Sequence, residues 1–329
     1  MDPTARVRIG RGELTATRLG LGTAPIGGLY TPVGAAQAVS VVQRAWERGL
    51  RLVDTAPLYG YGNAERYAGR ALAGKPREQL TLSTKVGRLL EPGGPDVQHA
   101  WADPPTEATP RFDFSAAAVR RSLESSLERF GMDRVDVLLI HDPDDHYDQA
   151  LGEAYPALAE LRAAGVVGAI GAGMNQGAML ARLIRAAPEP GLDCVLLAGR
   201  YSLLDQSGLD DLLPTCVDHG VGVIAGGVYN SGLLADPRPG ATYDYSAAPR
   251  HLLDRALALR DACERHGVPL RAAAIQFPYG HPAVRVVVVG ARTPEEVDDA
   301  VAMSTHPIPA ALWADLRASG LLPEGVPTP

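Results

Sequence analysis

The chain reads as an α/β protein built as a (β/α)8 barrel, and three observations support that reading. Short apolar runs alternate with helical stretches along its 329 residues, the pattern of βαβ units and a parallel sheet. Eight such runs fall near 18–22, 52–54, 80–84, 135–140, 167–171, 194–198, 221–224 and 286–289, each separated by enough chain for a crossover helix. Three of them deliver a titratable group at their carboxyl end, Asp54, Lys85 and His141. In such a barrel the carboxyl ends of the strands converge on one rim, and the chemistry sits there.

Helices are expected near 35–48, 64–72, 115–130, 151–163, 176–185, 209–218, 250–266 and 293–303, with two extra ones near 270–277 and 310–319. Ser115 can cap its helix, Gly49 and Gly131 fall just after two others, and Thr293-Pro-Glu-Glu combines an N-cap, a first-turn proline and early acids. Residues 7–15 suggest a small hairpin before the first strand. No linker, repeat or low-complexity run interrupts the series, so residues 1–329 are expected to form one domain. Two connections are too long to be turns: 86–114, with Pro92, Pro95, Pro104, Pro105, Pro110 and Trp101, and 225–249. Loops of that length without secondary structure at a barrel mouth point to lids.

Bulk properties narrow the function classes. Apolar residues make up 46% of the chain, enough for a large core, and the net charge of -7 is spread along it without a basic block. That argues against disorder and against nucleic acid. Cys194, Cys216 and Cys263 are odd in number and widely spaced, as expected of reduced core residues. The N-terminus has no apolar leader, and no stretch of about 18 apolar residues occurs, so a cytoplasmic protein away from membranes is expected. High Ala, Gly, Arg and Pro content fits a GC-rich bacterial genome.

The most informative stretch is 52–61, Leu-Val-Asp-Thr-Ala-Pro-Leu-Tyr-Gly-Tyr, where Tyr59 follows Asp54 across a loop closed by Pro57 and Gly60. Asp54, Tyr59, Lys85 and His141, in this order and on these strand ends, resemble the catalytic tetrad of the aldo-keto reductases. The resemblance runs from Arg18-Leu-Gly-Leu-Gly-Thr through Val53-Asp-Thr-Ala and Ser83-Thr-Lys to Val289-Gly-Ala-Arg-Thr-Pro-Glu-Glu. Thr23-Ala-Pro-Ile-Gly-Gly-Leu-Tyr, His141-Asp-Pro-Asp-Asp-His and Tyr229-Asn-Ser-Gly resemble a narrower group. It holds bacterial aldose 1-dehydrogenases of the L-fucose or D-threo-aldose type and pyridoxal 4-dehydrogenase.

The resemblance implies an NAD(P)-dependent oxidoreductase with Tyr59 as general acid/base. A free phenol titrates near ~10, and a neighbouring cation lowers that value. Lys85 would supply the cation, Asp54 would hold Lys85 charged and oriented, and His141 would donate a hydrogen bond to the carbonyl oxygen. Singly each residue has a plainer reading: Asp54 as a helix cap, Lys85 as a solvated strand end, His141 as a satisfied core histidine. Their joint placement on three consecutive strand ends favours the site.

His141-Asp-Pro-Asp-Asp-His could also be taken for a metal centre, but Pro143 breaks any helix that would gather its ligands, and no metal is expected. Asp144 and His146 are expected on the rim. The run Gly20-Leu-Gly-Thr-Ala-Pro fails the dinucleotide fingerprint, because Pro25 stands where its third glycine must be. Cofactor contacts then fall to the loops. By resemblance, Gly22, Thr23 and Asp54 lie near the nicotinamide ribose and Asn175 meets the carboxamide. Tyr229, Asn230, Ser231, Gly232 and Leu233 form the pyrophosphate cradle, and Gly290, Ala291, Arg292 and Glu296 flank the adenosine. Tyr30, Tyr61, Trp101 and His146 are candidates to line the substrate pocket.

Four positions depart from the family's usual pattern. Ala198 stands where many members carry Gln, and Gly226 where many carry the aromatic that stacks on nicotinamide, with Tyr201 or Tyr229 as possible substitutes. Glu296 replaces a frequent Arg for the 2′-phosphate, and Ala300 replaces an Asn near adenine. A carboxylate repels that phosphate, which favours NAD over NADP, while Arg292 is the counterweight. The expected reaction is oxidation of an aldose at its anomeric carbon to the lactone. The rivals are reduction of a small aldehyde or ketone (a pyridoxal-like compound or natural-product intermediate) and a cofactor-binding redox sensor like the potassium-channel β subunits. A metal-dependent barrel hydrolase comes last, because the early His-x-His that marks one is missing from this sequence.

Overall fold

The computed structural model describes residues 1–93, 100–105 and 107–329. In chain order its strands are β1 (Arg6–Arg8), β2 (Thr15–Thr17), β3 (Leu19–Gly22), β4 (Leu52–Asp54), β5 (Thr81–Val86), β6 (Arg88–Pro92), β7 (Ala108–Phe112), β8 (Val137–His141), β9 (Ala169–Met174), β10 (Cys194–Ala198), β11 (Gly222–Gly226), β12 (Thr242–Tyr243), β13 (Ser246–Ala247) and β14 (Val284–Gly290). The helices are α1 (Ala35–Glu47), α2 (Asn63–Leu72), α3 (Ala116–Phe130), α4 (Tyr147–Gln149), α5 (Tyr155–Ala163), α6 (Gly177–Ala186), α7 (Leu212–His219), α8 (Arg250–Arg265), α9 (Leu270–Gln276), α10 (Pro294–Thr305) and α11 (Ala310–Ala318).

Strands β3, β4, β5, β8, β9, β10, β11 and β14 close into a parallel barrel, with β14 joining β3. Parallel strands covered on both faces need apolar residues at nearly every position. β8 (Val-Leu-Leu-Ile-His) and β5 are buried throughout. β9 runs further than its sequence suggests, to Met174, because its Gly-Ala-Gly centre carries little apolar signal yet packs fully buried. The helix expected from 151 begins at Tyr147 and passes through a wide π turn at Ala150–Ala154 before α5. Ser115 and Thr293 cap α3 and α10 by accepting from the amides of Ala118 and Glu296.

Two apolar layers result. One lies between strands and helices; the other fills the barrel and includes Leu52, Leu139, Leu196 and Val288. The β1–β2 hairpin plugs the amino-terminal mouth, contributing Ile9 and Ala16 to the inner layer. The close fit there explains Gly222, where a Cβ would lie 1.5 Å from the Ile9 carbonyl oxygen.

The two long connections are not the irregular loops expected. Residues 86–114 contain an antiparallel ribbon of β6 and β7, and 225–249 contain a short one of β12 and β13. Pro92 and Pro110 fit the first ribbon because it has only edge strands, where a missing amide is tolerated. Pro95 lies outside the described residues. Among the described residues no helix is long and apolar enough to cross a membrane.

Gly222→Ala must push the hairpin plug outward, so a loss of about 1–3 kcal/mol is expected, the scale of overpacking. Urea denaturation checks this beside Gly152→Ala, whose added methyl meets open space and leaves stability unchanged or slightly raised.

Candidate active site

The site is built on the junction of β4 and β5, which sets Asp54 opposite Ser83. Ser83 and Lys85 are two residues apart on one strand and so share its inner face. Ser83 donates to Asp54 Oδ1 at 2.8 Å, and Lys85 Nζ donates to Asp54 Oδ2 at 2.8 Å and to the Thr55 carbonyl at 2.7 Å. Side-chain exposure is 1% for Lys85 and 5% for Asp54, so this ion pair lies outside bulk water. Burial works against the ammonium, but Asp54 and Tyr59 outweigh it and push the Lys85 pKa above its ordinary value. The neighbouring Thr84 faces outward and donates to Glu65, itself buried and paired with Arg129 of α3, which ties α2 and α3 to this strand.

Tyr59 arrives from the loop after β4. Gly60 (φ 58°) lets that loop press onto the Pro25–Gly27 turn, since a Cβ at Gly60 would lie 2.2 Å from the Gly27 carbonyl oxygen. Thr23 holds the same region by donating its amide and hydroxyl to the Asp54 carbonyl, at 2.9 and 3.0 Å. Lys85 Nζ sits 4.8 Å from the centre of the Tyr59 ring. The His141 ring meets that ring edge-on at 5.9 Å, and Trp101 lies against it at 5.6 Å. Asp54, Tyr59, Lys85 and His141 are thus brought together at the carboxyl end of the barrel. The adjacent cation is not the only influence on the phenol. In the folded chain burial is the larger influence and raises the Tyr59 pKa, with Lys85 as the main opposing force.

His141 ends β8 with 7% of its side chain exposed, and its Nδ1 is buried without a partner. Burial, then Arg88 and Lys85, hold its pKa well below the ordinary value, so the ring is neutral. Asp142 follows in a left-handed conformation (φ 42°) and forms an ion pair with Arg88 of β6 at 2.6 Å. The sequence reading passed over this pair, although its members lie one residue from His141 and three from Lys85. Arg88 also covers the Phe112 ring at 4.9 Å. His146 stacks on Phe112 and meets Phe114 at a tilt, both at 5.3 Å, and so braces the β6–β7 ribbon. Among the described residues no cluster of three His, Cys, Asp or Glu side chains is arranged to hold a metal.

The other pocket candidates divide. Trp101 and Tyr61 are 7% and 2% exposed and pack with Leu58 in a small cluster beside Tyr59. Tyr30 is more open, donating to Ser231 Oγ at 3.1 Å and meeting Tyr245 at 6.1 Å, so the loops after β3 and β11 touch across the mouth. Arg200 steadies the β12–β13 ribbon through two hydrogen bonds to Asp244, at 3.0 and 2.6 Å.

Of the cofactor candidates, Gly22, Thr23 and Asp54 lie at the ends of β3 and β4, and the others lie at or after the ends of β9, β11 and β14. Asn175 donates to the Ala198 carbonyl at 3.0 Å, bridging two strand ends. Asn230 and Ser231 are left-handed (φ 46° and 57°), Gly232 faces open space, and the Asn230 side-chain oxygen is buried without a partner. That orphaned acceptor, next to the open space at Gly232, fits a bound polar group. Leu233 is fully buried, leaving its backbone for any contact, and the Tyr229 phenol is buried, within the influence of Asp299 and Arg271. Tyr201 packs against Phe277 and His281. At Gly290 the Pro25 ring fills the space of a side chain. Glu296 accepts from the Arg292 amide at 2.7 Å and from its guanidinium at 2.8 Å. Carboxylate and counterweight are therefore one unit.

The aldo/keto reductase family model matches residues 18–320. The chain is 40% identical to D-threo-aldose 1-dehydrogenase of a Pseudomonas species over 94% of its length and 96% of the relative's. It is 41% identical to pyridoxal 4-dehydrogenase of Microbacterium luteolum over 95% and 97%. An aldo-keto reductase of Bacillus halodurans, solved in its holo form, superposes with a TM-score of 0.75 at 25% identity, covering 98% of this chain and 97% of that one. Barrel, strand order and these likenesses agree, and the chain belongs to the aldo/keto reductase family, a group of NAD(P)-dependent oxidoreductases.

Proposed function

We propose that the chain oxidises an aldose at its anomeric carbon to the lactone, with Tyr59 moving the hydroxyl proton. The observation that carries this reading is the buried Lys85–Asp54 pair beneath the Tyr59 ring at the barrel mouth. Tyr59 accepts the proton of the anomeric hydroxyl as the hydride leaves the same carbon, and Lys85 stabilises the phenolate that must first form. Asp54 keeps Lys85 charged and aimed. His141 is neutral and so offers one N–H to the substrate oxygen without adding charge. The bound nicotinamide would supply the hydride acceptor, or the donor in reverse. Asn175, the 229–233 segment and the 290–292 turn would hold it, with the unpartnered Asn230 oxygen and the space over Gly232 as the supporting features.

The D-threo-aldose relative favours a sugar substrate, and the equally similar pyridoxal relative makes a small aromatic aldehyde the second reading. The β6–β7 and β12–β13 ribbons would select between them. NAD is favoured over NADP because Glu296 pairs with Arg292 and sets a carboxylate beside the guanidinium that a 2′-phosphate would meet.

Reduced-cofactor absorbance with a panel of aldoses, pyridoxal and simple aldehydes, run in both directions, tests the substrate. Turnover with an aldose is expected, and turnover confined to pyridoxal or simple aldehydes would reject the sugar reading. Tyr59→Phe should lower turnover at least ~10²-fold while cofactor affinity holds. Near-normal turnover would remove Tyr59 from the chemistry.

Cofactor choice is read by calorimetric titration. Wild type should bind NAD more tightly than NADP, and Glu296→Ala, which frees Arg292, should tighten NADP roughly tenfold, about 1.4 kcal/mol. A wild type that prefers NADP, unchanged by the substitution, would place selection elsewhere.

A further inference from the structure

We infer that the Arg88–Asp142 ion pair positions the proton of His141: Asp142, whose Oδ2 lies 3.5 Å from His141 Nε2, holds that proton on Nε2, and Arg88 keeps the carboxylate from drawing a second proton onto the ring. A neutral imidazole has one donor nitrogen and one acceptor, and a partner on the other nitrogen usually decides which is which. Among the described residues Nδ1 has no such partner and is buried without a hydrogen bond. The charge beside Nε2 therefore decides. A carboxylate attracts an N–H and repels a lone pair, and 3.5 Å is longer than a good hydrogen bond, so the proton stays available to a substrate oxygen.

Backbone and lid both serve this placement. Asp142 takes a left-handed conformation that non-glycine residues seldom adopt, held by its amide donating to the Gly173 carbonyl at 3.1 Å. That bend returns its carboxylate beside the preceding ring. Arg88 comes from the first residue of β6, so the ribbon over the mouth delivers the counterion. Among the described residues, the charged and titratable groups around His141 are Lys85 from β5, Arg88 from β6, Tyr59 from the loop after β4, and Asp142 itself, with Asp144 acting on Asp142 and Tyr245 of the β12–β13 turn within the influence of Asp142 and Tyr59. Two cations and burial favour the neutral ring. Without Arg88, an unpaired buried carboxylate would favour the imidazolium.

This rests on the reading that His141 donates to the substrate. Ring-nitrogen NMR of 15N-histidine-labelled protein tests it without turnover, so its failure is distinct from that of the Tyr59 mechanism. His141→Asn assigns the signal. Wild type should show a neutral ring protonated on Nε2 from about pH 5 to 8, the range in which histidine ordinarily titrates. Asp142→Leu should give a mixture of tautomers, and Arg88→Met should raise the titration midpoint so that protons bind tenfold more tightly or better. The double variant Arg88→Met/Asp142→Leu removes the pair as a unit, guards against misfolding of either single variant, and should titrate as low as wild type with mixed tautomers. Asp142→Leu should also lower kcat/KM about ten- to a hundredfold, the scale of a misplaced catalytic group. An unchanged Nε2 tautomer in Asp142→Leu and the double variant, or an unmoved midpoint in Arg88→Met, would overturn the inference.

Discussion

Lys85 carries its charge inside the barrel, and that one fact constrains much of what surrounds it. An ammonium with 1% of its side chain exposed is tolerated only with an excellent partner and further hydrogen bonds. Asp54 and the Thr55 carbonyl supply them, Ser83 steadies Asp54, and Thr23 fixes the Asp54 backbone. Each contact joins neighbouring strands or the loops at their ends, so barrel closure and the buried pair depend on each other. Tyr59 is added last, by a loop whose glycine fits against Gly27.

Around that centre the charges alternate. Lys85–Asp54 lies beneath the phenol, and Arg88–Asp142 lies beside the imidazole. The phenol and imidazole are themselves neutral, because burial outweighs the adjacent cation at Tyr59 and adds to it at His141. A phenol that must first lose its proton to act as a base, and an imidazole that can share one, are thus each flanked by a paired charge.

The barrel was legible because parallel strands covered on both faces must be apolar runs, and Leu52–Asp54, Val137–His141 and residues 286–289 of β14 are largely such runs. The tetrad was legible because titratable residues at the ends of those runs stand out. Arg88 was not, since a charged residue in a proline-rich connection looks solvated until the ribbon folds it inward, and Asp142 stood out only within a motif that suggested metal ligands. The β6–β7 ribbon was hidden by its prolines, which argue against a central strand but not against an edge. The net direction of the Tyr59 shift was also out of reach. Sequence names the cation, whereas burial depends on Trp101 and the loops that cover the ring.

The most direct test of the central claim is the pH dependence of aldose oxidation in Lys85→Met, beside the double variant Asp54→Asn/Lys85→Met, which leaves no unpaired buried carboxylate. In the proposed reaction oxidation needs the Tyr59 phenolate, so the rate should rise with pH through the phenol's pKa. Lys85 lowers that pKa against burial, so its removal must move the rising limb to higher pH in both variants. A limb that stays where it is in wild type would mean that Lys85 does not govern Tyr59, and the proposed proton transfer would fall with it.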